Sequence, residues 1–311
     1  MEDNLFQIHQ ELKTKIYRHS NYTSFYIQDP KLRHIHKACV KDRVIHHAIF
    51  RILYPIFDKS FIFDSYSCRL NKGTHKAVDR LEVCCRKLSR NNTRNIFALK
   101  CDIKKFFDSI DQEILLKLIQ RKIRDENVFW LIKIIIKSFI SNPLPISPFK
   151  RGRDIGLPLG NVTSQLFANI YLNELDQFIK HRLKIKYYLR YCDDFIILGL
   201  DENYLAKLIK PINQFLNQAL KLTLHPDKVE IRKYRQGLDF LGYVVLPHYR
   251  VLRTKTKRRI FRKIAQKWQD LKINTISKEA FNQSLQSYFG VLKHCKGWKI
   301  KKKIIGIIKL C

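Results

Sequence analysis

Two adjacent aspartates, Asp193 and Asp194, lie between the apolar segments IKYYLRY and FIILGL. Like charges this close repel and raise one another's pKa, so a hard divalent cation bound between them and a third carboxylate would relieve the repulsion. Asp102, which follows another apolar segment, is the candidate third ligand. Carboxylates that leave room for water or phosphate suit Mg²⁺, and two such ions support in-line phosphoryl transfer. On these residues alone, the adjacent pair could instead be simple turn formers.

The elements around these acids indicate how they would be positioned. The segment NIFALKCDI predicts a short strand that ends near Asp102. A helix is predicted directly after it in SIDQEILLKLIQRKI, where Ser109 and Gln112 fit a capping box. The two apolar segments around the aspartate pair are separated by very few residues, which predicts a β-hairpin with both acids at its tip.

Helical and strand-like patterns alternate along the rest of the chain, which predicts a mixed α+β fold. Helices are predicted at 44 to 57, 74 to 88, 129 to 140, Phe167 to about His181 and 202 to 221, and from Tyr249 onward. Strand-like character is predicted for FIFDSYSCRLNKG and for the hairpin-like VEIRKYRQGLDFLGYVVL.

The charge balance indicates a polyanionic partner. The 311 residues include 60 Lys and Arg and 27 Asp and Glu, a formal net charge of +33. Such a positive field favours nucleic acid and fast, salt-sensitive association. Charge by itself fits a noncatalytic basic protein that coats RNA or anionic lipid equally well.

The remaining composition favours a cytoplasmic protein without a membrane span. The most apolar stretch, FWLIKIIIKSFI, is interrupted by Lys133 and Lys137 and is shorter than the roughly 18 residues of a span. The N-terminal MEDNLFQIHQ is polar and unlike a signal peptide. The eight cysteines form no C-x-x-C pair and no zinc-like spacing, so we expect reduced thiols.

The segment LPLGNVTSQ combines a glycine turn with a row of short polar side chains and precedes the apolar run LFANIYL. A tight turn at Gly160 followed by a helix start predicts a helix mouth that exposes backbone and short hydrogen-bonding groups. Such a mouth is suited to shaping a binding surface beside the acids.

Taken in order, these motifs resemble the reverse transcriptase family over about residues 45 to 300. The order is Asp102 and Phe107, the glycine turn and helix at 156 to 172, the Tyr191-Cys192-Asp193-Asp194 hairpin, HPDK, and FLGY. The resemblance implies a right-hand polymerase of class α+β, with a palm built on an antiparallel sheet with helices. The implied divisions are an N-terminal extension and fingers at 1–95, a palm at 96–248 with a fingers segment at about 120–155, and a small helical thumb with a basic tail at 249–311.

The resemblance implies roles for the acids and for one aromatic residue. Asp102 and Asp193 match the metal-binding catalytic acids of the palm, with Asp194 beside them and the Ile103 carbonyl as an extra ligand. The implied cofactor is a pair of Mg²⁺ ions, for which Mn²⁺ can substitute. Phe107 resembles the gate that packs against the nucleotide sugar and clashes with a 2′-hydroxyl. The alternative for Phe107 is an ordinary core aromatic.

Other segments resemble contacts to nucleotide and nucleic acid. Arg69 and, less specifically, Lys72 match the basic grip on the triphosphate of the incoming dNTP. Lys228 of HPDK is a candidate acid for the leaving pyrophosphate. The implied primer grip is Phe240, Leu241, Gly242 and Tyr243, and the implied thumb contacts to duplex phosphates are Arg253, Lys255, Lys257, Arg258 and Arg259.

The motif after the Pro-rich connection resembles one lineage within this family. Most reverse transcriptases related to group II introns carry Q-G-x-x-x-S-P there, whereas this chain has Leu159, Gly160, Ser164 and Gln165 at the four defined positions. This departure resembles the reverse transcriptases of diversity-generating retroelements. It implies mutagenic retrohoming, in which a template-repeat RNA is copied into adenine-mutagenised cDNA with the help of a small basic accessory variability protein. The same resemblance implies a role in template positioning and fidelity for these four residues.

Three other functions are alternatives on the sequence alone. An antiphage or retron-type reverse transcriptase would share the palm but copy a different RNA. A noncatalytic basic RNA-binding protein would share the charge but have no use for Asp102, Asp193 and Phe107 together. An RNA-dependent RNA polymerase is opposed by Phe107, because such enzymes place a polar, sugar-binding residue there.

Overall fold

The structure is a computed structural model that describes residues 2–28, 31–139 and 154–309. The chain divides into two compact units, each assembled from separate stretches of sequence. The first unit consists of Met1–Asn71, Cys101–Phe195 and Lys207–Val229, and the second of Lys72–Lys100, Ile196–Ala206 and Glu230–Cys311.

Helices and strands follow one another along the described residues. In chain order they are α1 (Glu2–Lys13), β1 (Thr23–Gln28), β2 (Leu32–Lys37), α2 (Val40–Asp58), α3 (Thr74–Leu88), β3 (Phe97–Asp102), α4 (Phe106–Ser109), α5 (Gln112–Gln120), α6 (Glu126–Lys137), α7 (Val162–Gln177), β4 (Tyr188–Tyr191), β5 (Asp194–Gly199), α8 (Glu202–Leu220), β6 (Glu230–Lys233), β7 (Leu238–Phe240), β8 (Tyr243–Val245), β9 (Arg250–Leu252), α9 (Thr254–Lys272), α10 (Lys278–Lys293) and α11 (Trp298–Lys309).

The strands of the described residues form three sheets. In the first unit, β1 and β2 make an antiparallel hairpin with Thr23 opposite Lys37. The second sheet of the described residues has four strands in the order β4-β5-β3-β6, and its strands β3 and β6 run antiparallel with Phe97 opposite Lys233. In the second unit, β7, β8 and β9 form an antiparallel meander.

Helix α7 is the centre of the first unit. Of its 16 residues, 11 are buried, which is typical of a helix surrounded by other elements. Helices α2 and α5 pack against it, and α6 packs against α5. Helix α2 turns Ile45, Ile49 and Leu53 inward at helical spacing, so the predicted 44 to 57 periodicity corresponds to a buried face.

In the second unit, the meander and four helices form the core. Helix α3 packs against β8, and α9, α10 and α11 pack against one another. The predicted helix at 74 to 88 matches α3 at both ends. The helical prediction from Tyr249 onward is wrong at its start, because Arg250–Leu252 pair with β8 as β9 and the helix begins at Thr254.

The predicted capping box at Ser109 and Gln112 is wrong. Asp111 is the N-cap of α5, and its side chain accepts hydrogen bonds from the backbone N–H groups of Glu113 and Ile114, both at 3.0 Å. Ser109 instead ends the short helix α4, and Gln112 is fully buried. An aspartate carboxylate next to the helix start caps it without help from the residue two positions earlier.

Two strand predictions also need correction. The segment FIFDSYSCRLNKG forms turns and contributes a single-residue bridge between Ser65 and Arg190 rather than a strand. In VEIRKYRQGLDFLGYVVL, β6 pairs with β3, and the hairpin is made by β7 and β8. Aromatic content predicted strands in both places, but turn residues with positive φ at Cys68, Asn71 and Gly237 redirect the chain.

The predicted fingers segment at about 120–155 lies partly outside the described residues, as does the end of the helix predicted at 129 to 140. Among the described residues, no helix has the length and apolar character needed to cross a membrane.

Candidate active site

Asp102 is the last residue of strand β3, which belongs to the four-stranded sheet. Ala98, Leu99 and Cys101 of β3 are almost fully buried, while Asp102 is half-buried at the strand's last position. The backbone beyond the strand is held by the segment before the HPDK turn. The Asp102 carbonyl accepts a hydrogen bond from the His225 N–H at 2.8 Å, and the Lys104 N–H donates to the Thr223 carbonyl at 3.0 Å.

The hairpin of β4 and β5 carries the second acid. Cys192 has a φ of 55° and so lies in the left-handed region, which turns the chain sharply before Asp193. Burial first and the negative charge of Asp102 second raise the pKa of Asp193 above its ordinary value. The two carboxylates therefore lie close enough to repel each other.

Asp194, the first residue of β5, lies in different surroundings. Burial, together with the charge of Asp194, raises the pKa of the Cys101 thiol to about 12. Because Cys101 is the fully buried residue before Asp102, Asp194 lies toward the core side of β3. The structure therefore brings Asp102 and Asp193 together and places Asp194 beside Cys101.

Lys228 completes the cluster. Its Nζ donates to Oδ1 of Asp102 at 2.8 Å. The residue is carried by the 3₁₀ turn Pro226–Lys228, in which Nδ1 of His225 accepts the Asp227 N–H at 3.3 Å. The positive charge of Lys228 lowers the pKa of Asp193, against the larger effects of burial and Asp102. Two carboxylates share one ammonium here, so the cluster retains negative charge.

The donor set fits a hard divalent cation. The ammonium of Lys228 occupies a cation's place on Asp102, and the repulsion felt by Asp193 is the effect that a bound cation would remove. In the parts of the chain that the structure describes, no three His, Cys, Asp or Glu side chains are grouped to hold a metal. Mg²⁺ is commonly bound by one or two carboxylates plus waters and substrate phosphates, and Asp102 and Asp193 meet that requirement.

Phe107 lies one turn beyond Asp102, in α4. Its neighbour Phe106 takes the buried position, 2% exposed, and the two rings meet edge to face with centroids 5.5 Å apart. Phe107 remains partly exposed. Its carbonyl accepts the Leu157 N–H at 2.9 Å, which connects α4 directly to the LPLGNVTSQ segment.

The LPLGNVTSQ segment rests on strand β2. The Leu159 carbonyl accepts the His36 N–H at 2.8 Å, and Nδ2 of Asn161 donates to the His36 carbonyl at 3.2 Å. Gly160 has a φ of +120°, and a Cβ there would lie 3.0 Å from Cγ2 of Ile35. Both the backbone conformation and the close approach of β2 therefore require glycine. Ser164 is buried and Gln165 is exposed.

Two histidines that were not predicted as site residues, His46 and His19, support the start of α7. Nδ1 of His46 and Oγ1 of Thr163 are 3.0 Å apart, and Nε2 of His46 is 3.0 Å from Nε2 of His19. Burial first and His19 second lower the pKa of His46 to about 4, so the ring is neutral at pH 7. The available signal was a histidine on the apolar face of α2.

Arg69 is engaged within the protein. Its Nε donates to Asp58 at 2.7 Å, and its Nη1 donates to the carbonyls of Ile62 and Ser65 at 2.7 and 3.1 Å. The side chain is 8% exposed. Lys72 belongs to the second unit and Arg69 to the first. Arg69 orders the turn-rich segment 61–73 in this structure, and a grip on triphosphate stays a prediction for both residues.

The predicted primer grip lies in the second unit as the turn between β7 and β8. Leu241 and Gly242 have φ values of 50° and 89°, while Phe240 and Tyr243 are buried. The Gly242 carbonyl accepts the Arg253 N–H at 3.0 Å, and Nε of Arg253 donates to Asp239 at 2.6 Å. Arg253 therefore supports the turn.

The other predicted thumb contacts lie on α9. Lys255, Lys257 and Arg258 are exposed, and Arg259 is partly exposed. The same helix buries Ile260 and Ile264. This amphipathic arrangement leaves a row of cations available to solvent.

Comparison with known proteins gives a family match over most of the chain. A family model described as reverse transcriptase (RNA-dependent DNA polymerase) matches residues 27–245. Protein YkfC of Escherichia coli (strain K12) is 25% identical, over 68% of this chain and 63% of its own length. The group II intron-encoded protein LtrA of Lactococcus lactis subsp. cremoris is 26% identical, over 83% of this chain and 51% of its own length. The chain thus spans less than two thirds of either relative.

Solved structures give the same architecture. Telomerase from Candida tropicalis in complex with a TWJ fragment of telomeric RNA matches with a TM-score of 0.59 and 13% identity, covering 99% of this chain and 58% of that one. The apo telomerase truncated from its C-terminal domain matches with a TM-score of 0.55 and 14% identity, covering 75% of this chain and 55% of that one. The predicted α+β, right-hand polymerase fold is confirmed.

Proposed function

Because the chain belongs to the reverse transcriptase (RNA-dependent DNA polymerase) family, we propose that it is an RNA-directed DNA polymerase, a nucleotidyltransferase that extends a primer on an RNA template. The observation that carries this proposal is the cluster of Asp102, Asp193 and Lys228 at the ends of β3 and the β4-β5 hairpin. A protein that only coats RNA would have no use for two mutually repelling, half-buried acids.

In this proposal, Asp102 and Asp193 hold Mg²⁺, with the Ile103 carbonyl as an extra ligand and Asp194 as the supporting acid. Bound Mg²⁺, or Mn²⁺ in its place, supplies activation of the primer 3′-hydroxyl and stabilisation of charge on the departing pyrophosphate. Lys228, whose Nζ donates to Asp102, is assigned as the acid that protonates the leaving pyrophosphate.

We assign nucleotide selection to the surface next to these acids. Phe107 packs against the deoxyribose, which is supported by its partial exposure and by its backbone bond to Leu157. Leu159, Gly160, Ser164 and Gln165 shape the helix mouth against template and nucleotide. Arg69 and Lys72 are assigned to the triphosphate.

We assign the second unit's contacts to primer and duplex. The turn Phe240 to Tyr243 supports the primer terminus through backbone groups, with Arg253 behind it. Lys255, Lys257, Arg258 and Arg259 hold duplex phosphates without reading sequence. The proposed divisions are an N-terminal extension and fingers at 1–95, a palm at 96–248 and a thumb at 249–311.

The finer proposal is that the enzyme serves a diversity-generating retroelement in the cytoplasm. Leu159 and Gln165 support it, because they replace the Gln and Pro of the intron-type motif. The partners would be a template-repeat RNA and a small basic accessory variability protein, and the product would be adenine-mutagenised cDNA. An antiphage or retron-type reverse transcriptase is the alternative, and sequencing of the cDNA made in cells distinguishes the two by the RNA copied.

The first test of polymerase function is Asp193→Ala. We expect Mg²⁺-dependent primer extension on RNA to fall to background, while RNA binding in a filter assay persists, because the RNA is held by cations elsewhere on the surface. The matched control is Asp201→Ala, which removes an exposed acid that caps the start of α8. Wild-type extension in the Asp193→Ala protein would refute the proposal.

The lineage is tested by Leu159→Gln, which restores the amide found in intron-type enzymes. We expect fewer misincorporations opposite template adenine in a primer-extension and sequencing assay, because the amide can constrain the nascent pair through hydrogen bonds. The error rate opposite uracil serves as the internal reference. An unchanged error rate opposite adenine would contradict a fidelity role for Leu159.

A further inference from the structure

Arg190 is a charged residue in the apolar strand β4, two positions before Cys192. Its side chain is completely buried and is one of the largest fully buried side chains in the described residues. Removing a guanidinium from water is costly unless its donors find acceptors. The position therefore calls for an explanation beyond strand packing, since an aliphatic residue would fill β4 at no such cost.

All five N–H donors of Arg190 have an acceptor. Nε and Nη2 bind the two carboxylate oxygens of Asp176 at 2.7 and 2.6 Å, and Nη2 also donates to Oγ of Ser65 at 3.2 Å. Nη1 donates to Oδ1 of Asn169 at 3.2 Å and to the Cys192 carbonyl at 3.1 Å. Asn169 and Asp176 stand two turns apart on α7 and so present one face to the guanidinium.

The bond from Nη1 reaches the turn that carries Asp193. Cys192 is held at a φ of 55°, which costs a residue with a Cβ free energy that the surroundings must supply. The backbone of Arg190 is fixed as well, because its N–H donates to the Asp64 carbonyl and its carbonyl accepts the Tyr66 N–H, both at 2.9 Å. The guanidinium thus joins a rigid anchor on α7 to the strained residue directly before an acid of the site.

We propose that Arg190 is a positioning residue for polymerisation: through the Cys192 carbonyl it holds the hairpin turn so that Asp193 faces Asp102. The inference rests on the proposed polymerase function. An ion pair with Asp176 needs only Nε and Nη2, so it leaves Nη1 for the turn. Lysine can keep the charge beside Asp176, but its single ammonium cannot span Asp176 and the Cys192 carbonyl in the same geometry.

The test compares Arg190→Lys with the wild type for three quantities: kcat for primer extension, the Mg²⁺ concentration for half-maximal rate, and the melting temperature. We expect kcat to fall by about tenfold to 100-fold, since small misplacements of reacting groups cost that much. The half-saturating Mg²⁺ should rise several-fold, with KM for dNTP unchanged. The matched control is Arg121→Lys, in a surface ion pair with Glu174 of α7. This change should leave kcat, the half-saturating Mg²⁺ concentration and the melting temperature unaltered.

A rescue variant separates positioning from folding. Glycine adopts a φ near +55° without a Cβ, so Cys192→Gly added to Arg190→Lys relaxes the turn's need for its anchor. We expect the double variant to regain at least part of the lost kcat and to need less Mg²⁺ for half-maximal rate than Arg190→Lys. Its melting temperature should stay no higher than that of Arg190→Lys. A rate loss that follows the melting temperature and is not recovered by Cys192→Gly would overturn the inference, as would a wild-type rate in Arg190→Lys.

If Arg190→Lys does not fold, Asn169→Ala provides the same comparison. It removes one of the two acceptors of Nη1 and leaves the pairing with Asp176 intact. The expected result is a several-fold lower kcat that Cys192→Gly restores, and an unchanged rate overturns the inference.

Mn²⁺ binding, followed by water proton relaxation, separates failure of this inference from failure of the polymerase proposal. Wild-type protein that binds Mn²⁺ through Asp193 but makes no DNA contradicts the polymerase function alone. Equal Mn²⁺ affinity in wild type and Arg190→Lys contradicts the positioning role alone.

Discussion

The first unit around α7 and the second unit around α9 use charged residues in opposite ways. Around α7, Arg190 and Asp176 are both completely buried and make paired hydrogen bonds. On α9, Lys255, Lys257 and Arg258 are exposed to solvent, while Ile260 and Ile264 are buried. Buried polar groups require exact partners, whereas exposed cations act through a field that salt screens. The first arrangement fixes the geometry of its partners, and the second places positive charge at the surface.

The largest effect is expected from breaking the buried pair. Asp176→Ala leaves the Arg190 guanidinium buried without its carboxylate, which should cost about 3–5 kcal/mol of unfolding free energy in urea denaturation. The matched control is Glu174→Ala, two residues earlier on the same helix, whose partner Arg121 is 65% exposed. There we expect at most about 1 kcal/mol. Similar losses for the two variants would remove the contrast between buried and exposed charge.

An intermediate effect is expected from pH, through the raised pKa of Asp193. A carboxyl whose pKa is higher in the folded state than in the unfolded state binds its proton more tightly when folded. Its contribution to stability is therefore present at low pH and declines as pH rises through the folded pKa. In Mg²⁺-free buffer, the unfolding free energy of the wild type should fall with rising pH above about 4 relative to that of Asp193→Asn, which cannot ionise.

The raised pKa of Asp193 also determines in which direction the Mg²⁺ requirement changes with pH. Because Asp193 must lose its proton to bind a cation, the Mg²⁺ concentration for half-maximal extension should rise as pH is lowered. Parallel stability curves for wild type and Asp193→Asn, measured without Mg²⁺, would show that burial and Asp102 do not raise the pKa of Asp193.

The smallest effect on stability is expected on α9. Replacing Lys255, Lys257 and Arg258 by Gln should change the unfolding free energy by less than about 0.5 kcal/mol per residue. The slope of log K for RNA–DNA duplex binding against log salt should become shallower by about 0.7–0.9 per lost phosphate contact.

The control for this variant removes the same charge elsewhere, at the exposed residues Lys13, Lys15 and Lys207. An equal change in salt slope for both triple variants would assign the effect to net charge rather than to a thumb contact.

Much of the fold follows from local patterns. The helix at 74 to 88, the strand ending at Asp102 and the hairpin at Asp193 were all predictable, because periodicity, strand-forming residues and short turns act within a few positions of the chain. The errors occurred where two signals competed locally. Ser109 and Gln112 matched a capping pattern, but Asp111 lies closer to the first free N–H groups of the helix.

The site could be predicted only in part. The identity and order of its acids are present in the sequence, and so is the glycine that the backbone of LPLGNVTSQ requires. The contact of that segment with β2 was not predictable, because His36 is more than a hundred residues from Leu159 and no local pattern links them. The same holds for His46 and Thr163.

The sequence by itself determined which groups are available for chemistry in this protein: the carboxylates of Asp102, Asp193 and Asp194, a glycine turn at Gly160, and a net charge of +33. Only the tertiary structure decided which of these acids lie close to each other. It brought Asp102 to Asp193, left Asp194 beside Cys101, and enclosed Arg190 with acceptors from α7. The physical reason is that a short motif specifies side-chain types, whereas the partners of a buried charge come from residues that only folding brings into contact.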